Sequence, residues 1–169
     1  EEVIPPPVSD KDNAALVYQQ AFDLLDKLKD KYKTEWEYMP YEGKIKTEEL
    51  PAEQKRTISR ILQEPDFKNF YALIEKAVNM SACRFNINYN FSGFGPDDNL
   101  QPILGKMRSM ASLVAARTYM LSEARKYDVA LKSAATGLRL GDSLTNEPVL
   151  ITQMVRIAMD IVAVNSYNP

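Results

Sequence analysis

Only one segment of this chain has the alternating pattern of a β-strand. In "CRFNINYNFSGFGPDD", residues 83–98, large apolar side chains alternate with polar ones. With a period of two, the apolar side chains fall on one side of an extended chain: Phe85, Ile87, Tyr89 and Phe91. No second such pattern exists for it to pair with, and most of the remaining chain has helical spacing. We therefore predict an all-α fold of antiparallel helical hairpins with one extended loop at about residues 83–101.

Two roles for this extended segment are consistent with the sequence. As a strap, it would be pinned by its aromatic side chains across the core, between the helices that carry Phe67 and Met107, with its asparagines bonding to the local backbone. Alternatively, its open backbone edge would accept a strand from a partner. We favour the strap, because an isolated strand leaves polar backbone groups without hydrogen bonds.

Prolines, glycines and capping residues divide the rest of the chain. Residues 1–10 are predicted as an extended, proline-rich leader and residues 11–169 as a single helical domain. The predicted helices span about residues 13–33, 51–63, 65–80, 103–125 and 128–140, and a last helix begins near Asn146 with Pro148 in its first turn. Gly141 is the predicted C-terminal stop of the fifth helix.

The last helix has an unusual distribution of polar residues. They occupy a narrow stripe, while the rest of the helix is apolar, which predicts burial on several sides. The stripe consists of Thr152, Gln153, Arg156 and Asp160. Two explanations stay open: earlier helices wrap around this helix, or its partner lies in chain beyond Pro169 or in another subunit. The second explanation includes self-association through residues 148–164.

A cluster of large side chains lies in an irregular segment near residue 40. It consists of Trp36, Tyr38, Met39 and Tyr41. These side chains either cover neighbouring helices or line an aromatic ligand-binding cleft. The covering role is the simpler prediction, because a ligand site also needs converging polar groups.

Composition limits the chemistry. The chain has no histidine and one cysteine, which excludes His-dependent catalysis, His-ligated metals and thiolate clusters within it. The net charge of −2 gives no basic excess for nucleic acid, and no run of about 18 apolar residues predicts a membrane span. Asp97 and Asp98 fit a turn better than a calcium site, and Lys132 with Arg139 fits a solvated face better than an anion site. No metal or cofactor is predicted.

The segment "YMLSEARKYDVALKSAATGLRL", residues 119–140, resembles the helical hairpin of tetratricopeptide repeats. Tyr127 matches the turn tyrosine, Ala130 the alanine at the helix crossing, and Gly137-Leu138 the later small-Leu pair. Arg125 stands where that repeat usually has glycine, and no second copy appears at an offset of about 34 residues. The resemblance implies close antiparallel helices with α/α-superhelix character, and a tyrosine that plugs the corner.

The order "NAALVYQQAF", "CRFNINYNFSGF", "LGKMRSMASLVAARTYML" and "GLRLGDSLTNEPVLITQMVRIA" resembles a group of uncharacterised, exported helical proteins of bacteria. The resemblance implies an extracytoplasmic location and no particular reaction. Members of that group extend beyond the point where this chain ends, which implies truncation. The start "EEVIPPPVSD", without methionine, fits either a processed exported protein or an arbitrary boundary.

Two functions follow as hypotheses. The first is a non-catalytic helical interaction or scaffold domain that binds a protein or peptide through an exposed apolar groove. The second is a helical enzyme or ligand-binding protein with Asp, Glu or Tyr groups in an aromatic cleft. The candidate partner-binding residues are Phe85, Ile87, Tyr89, Phe91, Trp36, Tyr38 and Tyr41. We favour the interaction domain.

Overall fold

The described part of the chain is helical, which confirms the predicted all-α class. The computed structural model describes residues 5–39, 51–87 and 100–167. These ranges contain six α-helices and no named β-strand. The helices are α1 (Ala14–Lys31), α2 (Ala52–Ile61), α3 (Pro65–Val78), α4 (Leu100–Glu123), α5 (Tyr127–Asp142) and α6 (Leu150–Asn165). Two short 3₁₀ helices cover Asp10–Asp12 and Glu35–Tyr38.

An aromatic cluster fills the space between α1 and α3. Phe67 is fully buried at its centre. Its ring centroid lies 6.5 Å from that of Trp36, 6.5 Å from that of Phe70 and 5.7 Å from that of Tyr32. Such ring pairs stabilise a core beyond the area they bury. Trp36 is therefore part of the core, as its covering role predicts.

α4 is the central helix. Every residue from Met110 to Ala116 is buried, so this stretch is surrounded on all sides. α5 and α6 both pack on α4, and α1 and α2 contact it as well. Within the core, the Thr118 hydroxyl donates to the Ser133 hydroxyl of α5 at 2.8 Å.

Residues 82–87 lie against α1 without forming a strand, and a tight turn in which the Ile87 amide donates to the Phe85 carbonyl ends this stretch. The backbone amide of Ala14 donates to the carbonyl of Ala82 at 2.8 Å, and the Asn13 carboxamide bonds to both the amide and the carbonyl of Arg84. Phe85 and Ile87 are buried, and Phe85 stacks on Tyr18 of α1 with ring centroids 6.1 Å apart. The segment thus lies on α1, whereas the sequence analysis placed it between the helices of Phe67 and Met107.

The connection between α5 and α6 differs from the prediction. α5 continues through Gly141 to Asp142, so Gly141 is not a helix stop, and α6 begins at Leu150 rather than near Asn146. Successive turns explain the difference, because the amide of Leu144 donates to Gly141 and the amide of Glu147 to Leu144. Because the backbone of this connection forms these turns, it cannot also form the first turn of a helix that starts near Asn146.

Candidate functional site

α6 buries one largely apolar face in the core, half-buries most of its polar residues on the flank beside α5, and exposes a second apolar face. Thr152 is fully buried, and Gln153, Arg156 and Asp160 are half-buried. Five large apolar residues on the opposite side are between 54% and 76% exposed. We call them the α6 stripe: Leu150, Met154, Ile157, Ile161 and Val164. Of the two explanations for the apolar character of α6, the first does not hold for this face, because no helix of the described structure covers it; a partner outside the described residues stays a prediction.

The α6 stripe has the spacing of a coiled-coil surface. Its members follow each other at steps of four, three, four and three residues. Such steps keep apolar side chains on one narrow face, which in coiled coils meets a second helix. The stripe contains no charged residue, since the two charged residues of α6 are Arg156 and Asp160 on its other side.

The polar side of α6 forms hydrogen bonds with the connection between α5 and α6. The Gln153 carboxamide nitrogen donates to the carbonyls of Leu144 and Glu147 at 3.0 and 2.7 Å, and its oxygen accepts from Arg156 at 3.2 Å. These bonds satisfy carbonyls that the turns leave without helical partners. A polar stripe in sequence is usually solvated. In α6, carbonyls of the preceding turns accept hydrogen bonds from this polar stripe instead, and the apolar stripe faces outward.

Glycines allow α5 and α6 to approach closely. A Cβ atom on Gly137 would lie 2.9 Å from the Cβ of Ala163, and a Cβ on Gly141 would collide with the Asp160 carboxylate. Gly137 thus acts as a small residue at a helix crossing, with α6 as the neighbour. Burial raises the pKa of Asp160, which Asp142 also raises and the Arg156 guanidinium lowers.

Two residues of the tetratricopeptide-like match do not pack as that resemblance implies. Ala130 is fully buried, but Tyr127 is 42% exposed and Leu138 38% exposed. The tyrosine side chain does not fill the corner between the two helices. Backbone hydrogen bonds close the α4–α5 turn instead. The Lys126 amide donates to the Leu121 carbonyl, and Arg125 takes a positive φ of 58°. This is the Schellman arrangement, which normally favours glycine at the position of Arg125.

α5 adds apolar side chains beside the α6 stripe. Gly137 and Gly141 face α6, whereas Ser133 faces α4. At about 100° per residue, Leu138 and Leu131 follow the two glycines around α5 on the side away from Ser133. Leu131 is 57% exposed. Helical geometry thus places both leucines on the outer flank of the contact between α5 and α6.

The same geometry applies to α6. Met159 is buried in the core, and Ala163 and Asp160 contact α5. Val164 and Ile157 of the stripe lie further around α6 from the core than the residues that contact α5. Because the two helices are joined by a short turn and run antiparallel, the stripe and the α5 leucines lie on the same side of their contact.

A cavity of about 280 Å³ lies at the start of α1. It is lined by the residue 77–83 segment and by the end of α5, and no aromatic residue lines it. Two of its polar side chains have partners: Arg139 donates to Asn79 at 2.9 Å, and the Ser143 and Tyr18 hydroxyls are 2.7 Å apart. Burial raises the pKa of the Cys83 thiol to about 12, so it stays protonated and a poor nucleophile.

None of the predicted binding residues whose side chains the structure describes lies at this surface. Phe85, Ile87 and Trp36 belong to the core. Tyr89, Phe91 and Tyr41 lie outside the described residues, as does the side chain of Tyr38. Sequence reasoning selected aromatic residues as the candidate binding residues; it considered the helix of residues 148–164 as a contact surface but did not identify the individual residues of the α6 stripe, whose coiled-coil spacing is visible in the sequence.

Within the described ranges, no helix has the length and apolar character needed to cross a bilayer, and no three His, Cys, Asp or Glu side chains form a group that could hold a metal. Comparison with protein-family models, with curated proteins and with solved structures finds no match for this chain.

Proposed function

We propose that this chain is a non-catalytic helical interaction domain that presents the α6 stripe to a helix of another protein chain. One observation carries the proposal: five large apolar residues at coiled-coil spacing are each more than half exposed. Single exposed apolar residues are common on protein surfaces. A contiguous uncharged apolar face is a feature of protein interfaces.

The energetics require a partner that is itself apolar. Complete burial of a Leu, Ile, Val or Met side chain stabilises by roughly 1.5–3 kcal/mol. Because the stripe residues are partly buried already, each would contribute about 1–2 kcal/mol, or roughly 5–10 kcal/mol for all five. Association costs about 4–15 kcal/mol. A partner that adds apolar surface of its own, such as one face of an amphipathic helix, supplies the remainder.

The charges of the hairpin support the same kind of partner. Arg156 and Asp160, the two charged residues of α6, lie half-buried on its flank beside α5, with Nε and Oδ2 4.0 Å apart, and not within the stripe. A charged partner surface would lose its hydration there without gaining a counter-charge. The resemblance to exported helical proteins supports an extracytoplasmic location for this domain.

The alternative of an enzyme or ligand-binding protein has less support. Trp36, which would line an aromatic cleft, stacks on Phe67 in the core. In the cavity at the start of α1, Arg139 and Ser143 are already hydrogen-bonded to Asn79 and Tyr18, and Asp142 is the one carboxyl residue of its lining. Neither feature supplies the converging carboxyl groups that such chemistry needs.

Site-specific photocrosslinking tests the proposal. A benzoylphenylalanine replaces Ile157 in the stripe, and in a matched control it replaces Leu16, an apolar residue of α1 that is 46% exposed. In the native host, we expect discrete protein adducts from position 157 that disappear when Met154 and Ile161 are changed to Glu. Equal adducts from positions 157 and 16, or none from 157, would contradict the proposal.

A further inference from the structure

We infer that the cavity at the start of α1 binds a zwitterionic small molecule, an α-amino acid with an aliphatic side chain, through Arg139 and Asp142. This site goes beyond the proposed function, because its lining shares no residue with the α6 stripe. It also differs from the aromatic cleft of the alternative function, since none of its described lining residues is aromatic.

Two parts of the fold meet at this cavity. The start of α1 and the residue 77–83 segment form one wall, and the end of α5 forms the other. Arg139 Nη1 donates to Asn79 Oδ1 across the gap at 2.9 Å. The Ser143 hydroxyl of α5 lies 2.7 Å from the Tyr18 hydroxyl of α1. These bonds hold the two walls in place around the space between them.

The mouth of the cavity has one positive and one negative side chain, and neither charge is neutralised. Arg139 and Asp142 are exposed and lie three residues apart on α5, which places their Cβ atoms about 5–6 Å apart. The Asn79 amide that accepts from Arg139 is neutral, so the guanidinium keeps its charge and further N–H donors. Within the described ranges, the Asp142 carboxylate accepts no hydrogen bond and forms no ion pair.

This pair of charges selects the class of ligand. The Asp142 carboxylate repels a purely anionic ligand, and the Arg139 guanidinium repels a purely cationic one. An α-amino acid has a carboxylate for Arg139 and an ammonium for Asp142, and both groups are attached to one carbon atom. Two other acidic residues of this region do not line the cavity: Glu147 is buried, and Asp160 is paired with Arg156.

The start of α1 supplies no anion site of its own. The amides of residues 14–16 already donate to the Ala82 carbonyl and to the side chain and carbonyl of Asn13. A ligand carboxylate in this cavity therefore has the Arg139 guanidinium as its charged partner.

The inner lining of the cavity is small and apolar. Ala14 and Ala77 are buried, and Val78, Met80 and Cys83 are half-buried. The volume of about 280 Å³ lies just below the roughly 300–1,000 Å³ of pockets for drug-sized ligands. A short aliphatic side chain suits this lining, because its burial removes apolar surface from water. We expect a dissociation constant on the order of 0.1–1 mM, since both charges at the mouth are exposed to water.

NMR titration of the full chain with L-leucine tests the site. The methyl resonances of Ala14 and Ala77 should shift, whereas those of Ile157 and Ile161 in the stripe should not. Leucinamide lacks the carboxylate and N-acetylleucine lacks the ammonium. Each should therefore bind about 10-fold more weakly than leucine.

Two variants connect each charged group of the ligand with its partner. Arg139→Gln should weaken the binding of leucine about 10-fold but should not weaken that of leucinamide, which has no carboxylate. Asp142→Asn should weaken leucine to a similar extent but should not weaken N-acetylleucine, which has no ammonium. Lys132→Gln is the matched control: this residue lies about 10 Å further toward the start of α5, outside the cavity, and its variant should bind leucine like wild type. Circular dichroism confirms that each variant is folded.

Several results would overturn this inference. One is a chain whose Ala14 and Ala77 resonances do not shift at tens of millimolar leucine. Equal affinity for leucine, leucinamide and N-acetylleucine would show that the cavity does not recognise a zwitterion. Equal weakening by Arg139→Gln and Lys132→Gln would show attraction by general charge instead of a contact in the cavity. Each of these results would leave the α6 stripe as an interaction surface, because photocrosslinking from position 157 tests that surface separately.

Discussion

The close contact between α5 and α6 makes Gly137 a sensitive position. In Gly137→Ala, the new Cβ would lie 2.9 Å from the Cβ of Ala163 and 3.6 Å from Cγ1 of Val114. Carbon atoms in contact normally lie about 3.5–4.0 Å apart, so α6 must move by several tenths of an ångström. Overpacking of this kind costs about 1–3 kcal/mol, whereas Ala in place of Gly stabilises a helix by about 1 kcal/mol. The expected net loss of unfolding free energy is therefore about 0–2 kcal/mol, in contrast to a gain at a position with free space.

Gly105 provides the control for this substitution. It lies in α4, and a Cβ there would meet no atom within 4 Å. Gly105→Ala should therefore stabilise the protein by about 0.5–1 kcal/mol. Urea unfolding followed by circular dichroism, at a concentration at which the chain is monomeric, measures both variants.

A double-mutant cycle identifies the cause of the loss. Ala163→Gly removes the atom that the new Cβ would strike. In the Gly137→Ala, Ala163→Gly double mutant, we expect a favourable coupling of about 1 kcal/mol. If Gly137→Ala stabilises the protein as much as Gly105→Ala, or if the coupling is zero, the helices do not approach as closely as described and the reasoning is refuted.

Three further predictions concern the turn, the hairpin and the extended segment. Arg125→Gly should raise the unfolding free energy by about 1 kcal/mol, because glycine adopts the positive φ of this turn without strain; a loss of stability in urea unfolding would contradict this. The pKa of Asp160 is raised in the folded chain, so its ionised carboxylate lowers the unfolding free energy at neutral pH. This destabilisation disappears as the pH falls through the folded pKa toward the unfolded pKa of about 3.9, because the carboxyl then becomes protonated. Asp160→Asn should therefore stabilise the protein more at pH 7 than at pH 4, and an equal effect at both pH values would show that this carboxyl is not responsible. Phe85→Ala should cost about 3–5 kcal/mol, because the ring stacks on Tyr18 in the core, and an unfolding midpoint within error of wild type would show that the segment does not hold α1.

The helical fold could be predicted from the sequence because apolar residues repeat with helical spacing through most of the chain. The starts and ends predicted for α1 and α3 agree closely with the structure, since Asn13 caps α1 and Pro65 opens α3. The spacing of apolar residues in the sequence of one helix shows that it has an apolar face. It does not show which neighbour covers that face, because this depends on contacts distant in sequence.

α6 shows why the candidate site could not be predicted in full. Its polar residues lie inward because Gln153 bonds to carbonyls of the preceding turns, which form only when α5 extends to Asp142. Gly141 was assigned to a helix end, the usual position of such a glycine, but it is required by the approach of Asp160. Neither contact is encoded in the periodicity of a single segment.

Methyl-resolved NMR with a soluble paramagnetic probe tests the central claim most directly. The claim is that the α6 stripe is exposed in the isolated chain and covered when the chain acts. In dilute protein, the methyl groups of Ile157 and Ile161 should be as accessible to the probe as those of Leu16. After addition of the protein that position 157 crosslinks, they should become protected while Leu16 remains accessible. Protection in the free chain, or full accessibility after this addition, would contradict the account.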